Sequence, residues 1–226
     1  MSDPVARLNE AAPWILAVVI LASQGAGDAK AQGPEGNEPG QASWAGSATL
    51  GYSTGIGPDF GGGSSVGFTA GLFRVRSSRF ALGLEAGYSR LGGTTSDSRD
   101  FAGPGSLLSE EFNWSVAHAA AVARFALARS SIRPVGILGV GLYMPRSRDE
   151  IKGWDGNGVR IPFYDFFETR SEIKPGASVG LAVEFPDALG SLTIGAEARW
   201  HAVFTIGPGG VATADFATIA VGVGFE

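Results

Sequence analysis

Few side chains in this 226-residue chain can do acid–base, nucleophilic or metal chemistry, and their spacing restricts them further. There are two histidines, His118 and His201, and no cysteine, which excludes a disulfide framework, a thiolate metal site and an acylated lipoprotein N-terminus. A strand places residues two apart on one face, so a histidine base with a serine two positions on would bring both within hydrogen-bond reach. Here the sequences are His118-Ala119-Ala120 and His201-Ala202-Val203, and Ser115 stands three from His118, on the opposite face of a regular strand. No nucleophile follows. Two histidines with Glu197 lack the third ligand a metal site needs, and a satisfied interior histidine accounts for each. The run Asp155-Gly156-Asn157-Gly158 opens like a calcium loop without the remaining ligands, and reads as a turn. The pattern therefore predicts no catalytic residue, no metal and no cofactor. What remains is ionic: Glu85, Arg124, Glu184, Glu197 and Arg199, together with the two histidines.

What those groups do depends on the elements that carry them, and the hydropathy alternates with a period of two. Trp44, Gly46, Ala48, Leu50 and Tyr52 oppose Ala45, Ser47, Thr49 and Gly51, with an aromatic at each end of the first row. Val66, Phe68, Ala70 and Leu72 oppose Gly67, Thr69 and Gly71. Phe80, Leu82, Leu84, Ala86 and Tyr88 oppose a row of small residues that contains Glu85. Ala177, Val179, Leu181, Val183 and Phe185 share a face opposite Glu184, and Leu192, Ile194, Ala196, Ala198 and Trp200 share one opposite Glu197, Arg199 and His201. The run from Phe112 to about Leu127 is ambiguous, because Trp114, Val116 and Val122 lie with His118 and Arg124 while the other face is mostly alanine. An arginine facing lipid at mid-depth costs about 2–4 kcal/mol, so His118 and Arg124 are predicted to face inward; a bulge that switches faces within the strand is the alternative.

Composition bounds the class. Glycine at 35 residues is high without a collagen-like period or a long low-complexity tract. A net charge of −5 with no basic cluster argues against a nucleic-acid binder. At the N-terminus, Pro13-Trp14-Ile15-Leu16-Ala17-Val18-Val19-Ile20-Leu21-Ala22-Ser23 is an apolar core followed by a small-x-small site at Ala29-Lys30-Ala31, so residues 1–31 read as an export signal cleaved after Ala31 or Ala29. The core is shorter than the roughly 20 apolar residues a membrane helix takes. Residues 32–42 are rich in glycine and proline without periodicity and read as a flexible lead-in, and 43–226 as one domain.

The connections between the apolar runs alternate in length: long, short, long, short, longest, short, intermediate. The short ones include Arg76-Ser77-Ser78-Arg79, Arg129-Ser130-Ser131-Ile132-Arg133 and Pro186-Asp187-Ala188-Leu189-Gly190; the long ones include residues 92–111 and 145–172. That asymmetry is the one expected of short turns on one side of a membrane and longer loops on the other. The final run puts Ala217, Ile219, Val221, Val223 and Phe225 on one face and stops one residue after an aromatic. Here the chain resembles the small outer-membrane β-barrels of Gram-negative bacteria, the OmpX-like and OmpA-like barrel domains, over residues 44–225. The Pro134-to-Tyr143 run is similar to the fifth strand of many of them. The resemblance implies an all-β, eight-stranded antiparallel up-and-down transmembrane barrel with both mature termini in the periplasm. It further implies that Val221, Val223 and Phe225 form the C-terminal insertion signal read by the barrel-assembly machinery, although Glu226 departs from the pattern, and that the barrel contacts outer-membrane lipids and lipopolysaccharide. Lipid A deacylases and palmitoyl transferases are built on such barrels, but the His-x-Ser arrangement of the deacylases is missing here, so no enzyme is expected, with a lipid A-modifying enzyme as the alternative.

An eight-stranded barrel has a bore that side chains fill, so no open water channel is expected. Glu85, His118, Arg124, Glu184, Glu197, Arg199 and His201 form the predicted interior polar cluster, in which carboxylates hold the arginines. Such a cluster acts as a structural plug, or alternatively as a gate or a proton-linked site. In the longest connection Trp154, Phe163, Tyr164, Phe166 and Phe167 are candidate contacts for a surface ligand, or else extend the barrel as a ribbon or fold onto its rim. The competing architecture is a soluble calyx with the same strands turned inside out, holding Leu82, Leu84, Val179, Leu181, Ile219 and Val221 within.

Overall fold

In the computed structural model the described residues are 43–225 without 57–59, 61–62, 129, 190 and 208–209. The predicted export signal (1–31), the lead-in (32–42) and Glu226 lie outside them. The strands are β1 (Trp44–Ile56), β2 (Ser64–Ser77), β3 (Phe80–Arg99), β4 (Leu107–Ala126), β5 (Arg133–Trp154), β6 (Phe166–Ser171), β7 (Lys174–Leu189), β8 (Leu192–Gly207) and β9 (Gly210–Phe225). A 3-10 turn, Pro162–Tyr164, precedes β6. Each strand pairs antiparallel with its neighbours, and pairing of β1 with β9, from Gly46↔Phe225 to Ile56↔Asp215, joins the two ends of the sheet. Since β4 also pairs with β5, eight strands form a closed ring. Over the stretch where all eight strands are paired, closure leaves no open sheet edge.

The ninth strand, β6, stands outside the ring. It pairs with the later part of β5, Arg146↔Ser171 to Ile151↔Phe166, while β7 takes the earlier part, Arg133↔Glu184 to Tyr143↔Lys174. β6 and β7 thus lie one after the other along β5, interrupted at Glu172 and Ile173. The structure also converts much of two predicted connections into strand. β3 and β4 pair as far as Arg99↔Leu107, which confines the turn to residues 100–106, and β4 and β5 pair as far as Leu107↔Trp154. These stretches lack hydropathy alternation because both their faces meet polar surroundings, and the backbone ladder needs none. At the other end β7 continues through the predicted Pro186-to-Gly190 turn to Leu189, with a register shift after Phe185.

The faces follow the alternation. Leu84 is 70% exposed, Val140 65% and Ile219 69%, whereas Glu85, Glu197, Arg199 and His201 are buried. The calyx arrangement, with those apolar rows inside, is therefore excluded. In β4 the outward row is Ala117, Ala119, Ala121, Ala123 and Phe125, and Val116, His118, Ala120 and Val122 are buried. Its pairing with β5 is unbroken from Leu107 to Ala126. A register shift does occur on β3, between Arg90 and Gly92: Leu91 keeps the inward parity of Glu85 and Ser89 and is fully buried, and beyond it the pairing of the rows changes to Gly92↔Trp114 and Thr94↔Phe112. Gly92 adopts φ 88°, a left-handed conformation that glycine takes at little cost.

Candidate functional site

The interior is built from strand parity. Counting from the near end, which holds Trp44 and Phe225, the inward charged residues form one ladder. Arg133 donates to Glu184 at 2.8 Å, and Arg124 donates to the other oxygen of the same carboxylate at 2.6 Å. Arg124 lies 3.8 Å from Glu197, and Arg199 donates to Glu197 at 3.0 Å and to Glu85 at 2.5 Å. His118 Nε2 ends the series 3.6 Å from Glu85. Three guanidinium groups thus alternate with three carboxylates and their formal charges cancel. All seven predicted interior residues except His201 belong to this ladder, and Arg133, assigned from sequence to a connection, joins it. Its position on the inward parity of β5, with Val135 and Ile137, was the available signal.

The interior contains an aromatic layer as well. The His201 ring stacks on Phe216, with centroids 4.3 Å apart and planes 2° from parallel, and His118 stacks on Tyr143 at 5.4 Å. Tyr143 Oη stands 3.2 Å from His201 Nδ1, and Thr218 Oγ1 3.4 Å from Nε2. Tyr143 and Phe216 are fully buried, and with Phe60, Leu91, Val116 and Val203 they form an apolar cluster across the bore. Phe73, Val122, Val135 and Ile137 form a second one beside the ladder. These rings need glycine opposite them: a Cβ on Gly87 would lie 2.5 Å from the His118 ring, and one on Gly176 2.5 Å from that of Tyr143. Glycine on the inward rows therefore makes room for the few large side chains.

The septum divides two spaces. On the near side a cavity of about 210 Å³ is lined by Phe73, Arg124, Arg133 and Glu184 among others. On the far side a larger one, of about 700 Å³, rests on Phe60, Trp114 and Val203.

The predicted contact aromatics do not act as one patch. Phe163 is 89% exposed and Phe167 60%, whereas Tyr164 packs edge-on against Phe101 at 4.8 Å and Trp154 ends β5 opposite Leu107. Arg148 lies over the Phe167 ring at 4.9 Å. Beside it Lys152, hydrogen-bonded to Glu150, and then Arg148 hold the Glu150 carboxyl below the usual carboxylate range. Val221 and Val223 point outward with Phe225 at the near end of β9.

The outer face decides the class. Its aromatics are Trp44, Phe80, Phe125 and Phe185 towards the near end and Tyr52, Tyr88 and Trp200 farther along. Between these levels no outward residue of the eight ring strands is charged. From Trp44 to Tyr52 is nine residues, the length a tilted strand takes to cross a bilayer core, about 9–11. The chain has the fold of a transmembrane β-barrel of eight strands. No protein-family model matches it, and no curated protein sequence does. Among solved structures this barrel is similar to Ail, the attachment invasion locus protein of Yersinia pestis in complex with the heparin analogue sucrose octasulfate, at 14% identity, covering 80% of this chain and 97% of that one with a TM-score of 0.40. It is similar also to the N-terminal barrel domain of Pseudomonas aeruginosa OprF, at 12% identity, 82% and 98% coverage and a TM-score of 0.39. The outer membrane protease OmpT of Escherichia coli is similar at 10% identity, 85% and 99% coverage and a TM-score of 0.39.

Proposed function

We propose that this barrel is a sealed surface anchor, without catalysis, whose work is done by the ribbon that β3, β4, β5 and β6 raise at the far end. The observation that carries the reading is the contrast between the two regions. The bore is closed by a charge-neutral ladder and an aromatic septum, while the ribbon presents Phe163 and Phe167 to solvent. A plug of paired charges fills a small bore, and exposed aromatic side chains on a ribbon supply a contact surface for a partner.

In this reading the near end, with both mature termini, faces the periplasm, and Val221, Val223 and Phe225 are read by the barrel-assembly machinery during insertion. Lipopolysaccharide surrounds the far rim. Arg90 and Arg146 both pair with Ser115 of β4, one step beyond Tyr88 and Met144, and Arg148 follows opposite Asn113. These arginines lie on the outward parity at the level where lipid phosphates meet the barrel.

Replacing Trp154, Phe163, Tyr164, Phe166 and Phe167 by serine is expected to weaken adhesion of expressing cells to host-cell or matrix surfaces, with heat-modifiable migration of the barrel retained. Replacing Phe163 and Phe167 alone is expected to give most of that loss. Unchanged adhesion in both variants would remove the reading.

A further inference from the structure

We infer that the far-side cavity is a binding site for a small organic cation, an amine or quaternary ammonium carried on an apolar body. A volume of about 700 Å³ lies within the range of small-molecule pockets, roughly 300–1,000 Å³. The floor is apolar and aromatic. Phe60 packs edge-on against Trp114 at 5.4 Å, and Phe112 against the same indole at 5.3 Å.

The charges on the wall have one left over. Five ionisable residues line the cavity: Asp149, Glu168, Arg170, Glu172 and Lys174. Arg170 donates to both oxygens of Glu168, at 2.5 and 2.9 Å, and Lys174 lies 3.2 Å from Glu172. Asp149, half-buried on the cavity wall, makes no ion pair among the described residues, and its Oδ1 has no hydrogen-bond donor. Arg170 feels its field but directs its bonded N–H groups to Glu168. The cross-strand neighbours of Asp149 are Phe112 on β4 and Glu168 on β6, a ring on one side and a second carboxylate on the other. A carboxylate in excess of the cations that line the cavity, on a wall shared with aromatic rings, is complementary to an ammonium group and repels an anion.

The wall also has a seam. β7 and β8 pair only as far as Gly176↔Val203; beyond it β8 continues to Gly207 on β9 alone, and β6 is paired with β5 alone. A hydrogen bond from Lys174 Nζ to Thr205 Oγ1, 3.0 Å, crosses at the foot of this seam. Glu168, Arg170 and Ser171 of β6 and Val203 and Thr205 of β8 line the cavity on the two sides of this seam.

The test is a titration of the barrel, folded in an uncharged maltoside detergent, with phenethylamine, 2-phenylethanol and 3-phenylpropionate, read by calorimetry. These probes share a phenyl body and differ in head group. Phenethylamine is expected to bind saturably and roughly tenfold or more tighter than the alcohol, the ratio a charge-assisted contact gives. Phenylpropionate is expected to show no saturable binding. Asp149→Asn, checked for folding by heat-modifiable migration, is expected to bring the amine to the level of the alcohol. Equal binding of amine and alcohol to the unaltered protein, absence of saturable amine binding, or a preference that survives in Asp149→Asn would each overturn the proposal.

Discussion

Arg199 shows how much one interior side chain carries. It is buried on β8, yet bonds Glu85 on β3 across the bore as well as Glu197 on its own strand. Arg199→Met would leave the buried Glu85 carboxylate without its guanidinium and Glu197 with only Arg124, 3.8 Å away, and a broken buried pair costs about 3–5 kcal/mol. The expected outcome is a large fall in the urea midpoint of the detergent-folded barrel, with a smaller fall for Glu85→Gln, which removes one charge and keeps the shape; a midpoint unmoved in Arg199→Met would show that the ladder is not structural. The sequence exposes this cluster because each charge interrupts a row of small residues opposite an apolar row, which makes its direction readable from parity alone. It hides Arg133, which adjoins a turn and looks like a connector. It hides the septum too, since Tyr143 closes an apolar run and gives no sign that it faces inward until its parity is tied to that of Val135 and Ile137.

At the scale of elements the ring strands were legible wherever one face meets hydrocarbon, because only there does the environment force alternation. β4 is the exception inside the membrane, since alanine is too small to declare a side. Its outward row gives the clearest test: Ala121→Lys, at mid-depth and facing lipid, should cost about 2–4 kcal/mol, measured as reduced folding yield and urea midpoint in lipid vesicles. The same change at Ala102, in the far-end turn, should be close to neutral. Equal effects would contradict the assigned faces. Outside the membrane the forcing ends, so the extensions of β3, β4 and β5 and the whole of β6 carry no period that a sequence reading could catch. What marks them in the structure is the ladder, running to Arg99↔Leu107 and Leu107↔Trp154. The bulge at Gly92 was equally hidden. A left-handed glycine next to a leucine is visible only once both partner strands are placed.

On the scale of the whole molecule, the arrangement is a barrel built outside-in. Its apolar belt faces hydrocarbon, its charges cancel around the axis, and its tall side lies over β3 to β6. The outer face reverses the ordinary soluble order, in which apolar side chains lie within and polar ones without. The chain has no cysteine, so single cysteines can report on it without background. Leu84→Cys, Val140→Cys and Ile219→Cys, in barrels folded into lipid vesicles, are predicted to resist a membrane-impermeant maleimide until detergent is added with denaturant, while Phe163→Cys reacts at once. Rapid labelling at Leu84, Val140 and Ile219 in intact vesicles would contradict the account.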